Sequence, residues 1–319
     1  MARYIKYWLV IAALLFSSLS HAYGDRPVHL LVGYPPGGPT DMLARLVANL
    51  LSDELGTPFV VENKPGVGSQ LAMRSLIGSK PDGHTLMIAT VANAINQSLY
   101  KNIKFDVRKD IRAIGLISSV PNLLLVPTQS PVHTFEQFLE FAKSQPEPIF
   151  YATGGTGTSA HLTGELIKAK VGINMTHVPF KGAGAALIAG IGGEVPVLVD
   201  NVTTALPHIK QGKLRALVVT NSTRVDSLPN VPTMADKIGG EFNVISWTGL
   251  VAPKDTPDSV VGTLNAALRK IQKLPAFRDG LARVDNNVNE SSPQEFSDFL
   301  NAEVVKWAAA VQASDTHLD

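Results

Sequence analysis

Short uninterrupted apolar runs alternate along this chain with stretches whose apolar residues recur every three or four positions. Apolar runs suit strands buried on both faces of a parallel sheet, and the helically spaced stretches suit the crossovers that join them, so the pattern predicts an α/β protein. Val28 to Tyr34 reads as the first strand. Pro35-Pro36-Gly37-Gly38-Pro39-Thr40-Asp41 follows, and then Leu43, Leu46, Val47, Leu50 and Leu51 lie at helical spacing. The loop therefore runs into a helix N-terminus, with Thr40 or Asp41 as the expected cap. About 117 residues later the unit recurs, with Pro148 to Thr153 as strand, Gly154-Gly155-Thr156-Gly157-Thr158-Ser159 as glycine-rich loop, and Leu162, Glu165, Leu166 and Ala169 as helix.

Two like units point to two lobes of like construction. Pro121 to Pro127, an apolar strand bracketed by prolines, and Val244 to Val251 are the candidate crossings between them. With both crossing, residues 23–124 and 247–319 form one discontinuous lobe and 125–246 form the other. The C-terminal helices, begun at Thr256-Pro257 and at the Ser292-Pro293-Gln294-Glu295 capping box, then return to the first lobe.

The N-terminus changes the setting. Arg3 and Lys6, the apolar run Trp8 to Phe16, and small residues at Ser20 and Ala22 predict a secretory signal peptide over residues 1–22, cleaved after Ala22. The apolar run is too short to span a bilayer. The chain has no cysteine, so the expectation is a periplasmic protein with neither lipid anchor nor disulfides. Removing the leader takes away two cations and no acid, moving the formal charge from +1 to −1. A near-neutral surface argues against nucleic acid or anionic membrane as partner.

The two glycine loops carry the candidate chemistry. A helix N-terminus presents unpaired backbone N–H groups and about half a positive charge, and glycine lets an anion approach. The same glycines also suit a tight strand-to-helix turn with no ligand. Neither loop has the lysine of a phosphate-binding P-loop or a complete dinucleotide fingerprint. Asp200 ends the apolar run Val195 to Val199, where α/β sheets present ligand-binding groups, and it is either an acceptor for a ligand donor or a helix cap. Lys181 follows another strand and either faces an anion or is simply solvated. Trp247 stands at a crossing, as a ligand-stacking ring or as core. Ser159 and His161 are two apart without a nucleophile elbow, which leaves a secreted hydrolase as the remote alternative. The eight histidines show no paired-ligand spacing for a metal.

Six segments taken in order carry a resemblance: Gly33 to Asp41, Val61 to Gly66, Pro81 to Leu86, Gly157 to Leu162, His177 to Gly182 and Leu206 to Leu217. They closely resemble the Bug family, the extracytoplasmic receptors of tripartite tricarboxylate transporters. The resemblance implies a type II periplasmic-binding-protein fold, two α/β lobes closing on a ligand cleft, with no catalysis, cofactor or metal. It implies a small carboxylate held by Pro36, Gly37, Gly38, Thr40 and Asp41 on one side and Gly157, Thr158, Ser159 and His161 on the other, partly through ordered waters. Asp200 matches the aspartate that meets a ligand amine in amino-acid-binding members, and Ala92 and Lys181 lie in segments that flank the site. Pro39, Val91-Ala92-Asn93 and Phe180 depart from the usual small polar, Gly- or Ser-rich and tyrosine positions. The implied partners are membrane permease subunits or, for the sensory alternative, a sensor kinase, with the receptor itself a monomer.

Overall fold

A computed structural model describes residues 26–240, 242–314 and 317–318. The leader read over residues 1–22 lies outside them. The strand-loop-helix rhythm gives β1 (Val28–Val32), α1 (Pro39–Leu55), β2 (Phe59–Asn63), α2 (Gln70–Ile77), β3 (Thr85–Thr90) and α3 (Val91–Leu99). A long strand, β4 (Ile111–Pro127), leads to α4 (Phe135–Ser144), β5 (Ile149–Thr153), α5 (Ser159–Val171), β6 (Met175–Pro179), α6 (Ala183–Ile191), β7 (Val197–Asn201), α7 (Val202–Lys210), β8 (Leu214–Val219) and α8 (Met234–Ile238). β9 (Ile245–Pro253) returns the chain to α9 (Asp258–Ile271), α10 (Pro275–Ala282), β10 (Asn287–Val288) and α11 (Pro293–Ser314).

The strands pair in the order β2-β1-β3-β9-β4-β7-β5-β6, with β8 and β10 also on β4. β4 belongs to both lobes. Through Pro121, opposite Ile245, it pairs with β9; from Asn122, opposite Asn201, it pairs with β7. Proline has no N–H to give a ladder, and Pro121 falls where β4 changes partners. The apolar strand read at Pro121 to Pro127 is thus the second half of a 17-residue strand.

Strand direction fixes where functional groups collect. β1 and β3 are parallel, β9 runs against both β3 and β4, and so β1, β3 and the first half of β4 all point toward the Pro121 junction. β7 runs against the second half of β4, and β5 runs with β7, so both also end at the junction, from the opposite side.

Packing follows the two-residue period. Leu123 and Leu125 face a core with Ala186, Leu187, Ala205 and Leu206 of α6 and α7, whereas Leu124 and Val126 face the other side. On the first lobe Leu30 and Val32 pack under Leu43, Val47, Leu264 and Phe277. The remaining faces of both lobes share one continuous core containing Ala94 and Ile95 of α3, Leu162 and Ile167 of α5, and Leu300 and Trp307 of α11. Consequently α11 does not return to the first lobe alone but packs on both α3 and α5. Among the described residues no helix is long and apolar enough to cross a membrane.

Candidate functional site

Four strand ends feed helices at the junction: β1 into α1, β3 into α3, β5 into α5 and β7 into α7. The cap of α1 is Gly38, with Pro39 at the first helical position, so neither Thr40 nor Asp41 caps it. Instead Asp41 braces the loop from the first turn. Its carboxylate is 2% exposed and accepts from Gly37 N at 2.9 Å, Arg45 Nε at 2.9 Å and Asn63 Nδ2 at 2.8 Å. The Arg45 guanidinium and then the Gly37 N–H hold its pKa down at about 2. Gly37 adopts a left-handed φ of +83°, a conformation that a side chain would oppose. Pro36 and Gly37 are exposed, and Gly38 and Thr40 are half-buried.

The second loop is braced in the same manner by a different residue. Thr158 caps α5 by accepting from His161 N, and Gly157 N donates to His161 Nδ1 at 3.2 Å. His161 therefore carries its proton on Nε2. Its ring is buried and stacks on His177, with centroids 3.9 Å apart. Burial pulls the pKa of His161 down to about 4 and that of His177 to about 3. His177 Nε2 in turn meets Thr153 Oγ1 at 2.7 Å, and this hydroxyl accepts from Gly155 N. Gly157, at φ +76°, is buried under Leu99 of α3, with which any side chain there would collide. The Ser159 hydroxyl lies 2.6 Å from that of Ser246 on β9. Ser159 and His161 thus take different partners, and no nucleophile-base pair forms between them.

Asp200 occupies the end of β7, 5% exposed. Asn201, not Asp200, caps α7, its side chain accepting from Thr204 N. Asp200 Oδ1 accepts from Asn201 N at 2.8 Å, while Oδ2 has no hydrogen-bond partner, the nearby Thr204 hydroxyl being directed to Asn201. Burial pushes its pKa up to about 6, against the opposing Asn201 N–H. A folded-state pKa raised from 3.8 stabilises the fold fully below 3.8 and loses that contribution as pH rises through about 6. Asp200→Asn is accordingly expected to be more stable than the wild type at pH 8, by up to about 3 kcal/mol, with the gap closing toward pH 4; urea melts at the two pH values check this.

Residues 43–315 match the sequence profile described as the tripartite tricarboxylate transporter family receptor. Protein BugT of Bordetella pertussis is 30% identical over 298 residues, spanning 93% of this chain and 91% of its own length. The chain belongs to the tripartite tricarboxylate transporter receptor family. It is similar to Rpa4515 of R. palustris, solved with adipate, at 30% identity and a TM-score of 0.82, covering 92% of this chain and 99% of that one. It is also similar to MatC of Rhodopseudomonas palustris, solved with bound malate, at 31% identity and a TM-score of 0.77, covering 91% and 100%. The two-lobed periplasmic-binding fold and the Bug-type receptor role expected from the resemblance both hold. Receptors of this family are periplasmic solute-binding proteins, not enzymes.

Within this receptor the other named residues separate by location. Ala92 is the half-buried second residue of α3, at the junction, and Lys181 is exposed beyond the end of β6. Trp247 is core: it is 2% exposed, its indole N–H donates to Glu303, and it packs edge-on against Phe296 and Phe299. A ligand therefore has no ring face to stack on there. Sequence reading named Asn93 only within the departing segment Val91-Ala92-Asn93 and passed over its partner Thr90, although their three-residue spacing is that of a capping box. Asn93 Oδ1 accepts from Thr90 N at 2.8 Å, and the Thr90 hydroxyl lies 3.0 Å from that of Tyr34. His177, Thr153 and Ser69 carried no local signal, because their partners are distant in sequence.

Proposed function

We propose that this receptor captures a small carboxylate between the N-termini of α1 and α5 and hands it to membrane permease subunits. The observation that supports this reading is the register, which aims the carboxyl ends of β1, β3, β5 and β7 at one junction. The first amides of α1 and α5 have no intrahelical acceptor. Pro39 lacks one, which leaves Thr40 N beside Gly38 N on the first side. On the second side, Gly157 N and His161 N are taken, which leaves Ser159 N and Ala160 N. Asp41 and His161 act as braces for the loops, not as ligand contacts. Asp200 Oδ2 is placed to accept from a ligand hydroxyl or ammonium.

Magnitudes require several contacts at once. Micromolar binding needs about 8 kcal/mol. One helix terminus contributes roughly 0.3 to 1 kcal/mol, and a hydrogen bond to a charged group about 1.5 to 3. Amides from both lobes must therefore converge, with hinges at the partner change between Pro121 and Asn122 and at Val244-Ile245.

The test is the chain from Tyr23, after cleavage at Ala22, purified without denaturation. Native mass spectrometry and thermal shift are then run across malate, adipate, tricarboxylates, amino acids and pyridine carboxylates. At a hundredfold excess over Kd a ligand adds about 2.7 kcal/mol of stability, so a cognate acid should raise Tm clearly. A protein purified empty that no acid in the panel stabilises would overturn the reading.

A further inference from the structure

The two faces of the sheet join the lobes differently. On one face α3, α5 and α11 share a single core that runs across both lobes. On the other face the cores are separate: Val47, Leu264 and Phe277 of α1, α9 and α10 belong to the first lobe's core, and Leu187 and Leu206 of α6 and α7 to the second lobe's. Lobes fused by a continuous core on one side part on the side where each keeps its own, because opening there exposes no shared apolar surface.

A hydrogen bond crosses that second face. The hydroxyl of Thr203, in the first turn of α7, donates at 2.6 Å to the carbonyl of Val284, in the loop between α10 and β10. Thr203 is half-buried and Val284 is 37% exposed, so water can take the place of either partner when the bond breaks. The bond lies beside the junction, for β10 meets β4 at Ser119 and β7 meets it at Asn122, on either side of Pro121. A rotation about the junction carries Thr203 with β7 and Val284 with β10, so the bond is made at one lobe angle and lost at another. The residue after Val284, Asp285, is held at a left-handed φ of +49°. Residues other than glycine are uncommon there and gather at clamps and switches.

We propose that Thr203 and the Val284 carbonyl form a latch between the lobes, which sets how long a captured ligand stays in the cleft. This rests on the receptor reading above and on closure about Pro121-Asn122 and Val244-Ile245. Asp41 and His161 shape the site within single lobes, whereas Thr203 is a positioning residue that acts on the angle between them. A bond made in only one of two states shifts their equilibrium by its own free energy, and one net hydrogen bond corresponds to a factor of about two to ten. Because the cleft must open before ligand leaves, the effect falls on dissociation.

Thr203→Val keeps the branched shape but removes the donor, and Thr203→Ser restores it. Stopped-flow mixing of the chain from Tyr23 with malate and with adipate separates association from dissociation. With an acid that binds, Thr203→Val is expected to release it about three- to tenfold faster, while association and the ligand-free Tm stay within about twofold and about 2 °C of wild type. Thr203→Ser should return release to within about twofold of wild type. A second measurement needs no ligand. The chain has no cysteine, so spin labels at Ala266→Cys on α9 and Lys210→Cys on α7, both exposed positions, report the distance across that face alone. Thr203→Val should move the population toward the longer distance. An unchanged dissociation rate, or a faster one that Thr203→Ser fails to rescue, would overturn the latch while leaving carboxylate capture standing. If neither acid binds, the distances decide: a distribution that Thr203→Val leaves as it was overturns the latch, and carboxylate capture is then judged separately by the full panel.

Discussion

Asp41→Ala is expected to lower the free energy of unfolding by about 2 to 4 kcal/mol at pH 7 and to weaken carboxylate binding at least tenfold. The carboxylate is almost wholly buried and accepts from Gly37 N, from Arg45 Nε and Nη2, and from Asn63 Nδ2. Its removal leaves the exposed Gly37 N–H to water and the Asn63 amide with only its hydrogen bond to Tyr34 O at 3.1 Å. Half-exposed Arg45 returns to water, so the loss falls short of that for a fully buried ion pair. The affinity loss has a separate cause: with its brace gone, the loop no longer holds Gly38 and Thr40 amides aimed at the junction. The pH dependence carries a sign. A folded-state pKa near 2 gives stability that is present above about 4 and lost as pH falls toward 2. The difference between wild type and variant should therefore shrink between pH 5 and pH 2.5, as urea melts at several pH values would show. A constant difference over that range would mean that ionised Asp41 is not the brace.

Glu303→Leu is expected to be the most destabilising single change in α11, costing about 3 to 5 kcal/mol. Glu303 is 4% exposed, and its Oε2 accepts from the indole N–H groups of both Trp247, at 2.8 Å, and Trp307, at 2.9 Å. Lys306 pairs with the other oxygen. Leucine fills the volume but leaves two buried N–H donors without an acceptor, whereas Glu303→Gln keeps an oxygen for them and should cost about 1 kcal/mol. The readout is direct: in the chain from Tyr23, which lacks Trp8, emission comes from Trp247 and Trp307 alone. In Glu303→Leu the emission should shift to the red before the global urea transition. Coincident shifts and unchanged stability would show that the carboxylate contributes nothing. Because Trp247 sits on β9 beside the lobe junction, this contact also ties α11 to that strand.

The residues differ in how far they announced their roles. Gly37, Gly38 and Gly154 to Thr158 were legible as strand-to-helix loops because an apolar run, a glycine turn and helical spacing are all local signals. The capping box at Ser292 was equally plain, and Ser292 N and Glu295 N make its two hydrogen bonds. Asp41 and His161 were found as site residues but their action was not. What makes each a brace is a partner set assembled in space: Asn63 is 22 residues from Asp41, and His177 stacks on His161 from the neighbouring strand β6. Trp247 was open between ligand and core until Glu303, 56 residues away, settled it. Ser69 and Gln70 were missed altogether and Asn93 was read only as part of a departing segment, since a buried polar group without a partner is defined by what does not reach it.

By itself the sequence determined the α/β class, the two lobes, the export leader as an expectation, and the two glycine loops, because each depends on periodicity, turn chemistry or composition within a few residues. Only the tertiary structure decided that β4 runs unbroken through Pro121, that α11 spans both lobes, and which polar groups at the junction are already satisfied. Those outcomes depend on pairing and packing between segments far apart in the chain, where the free energy of a buried hydrogen bond or ion pair turns on the geometry of both partners.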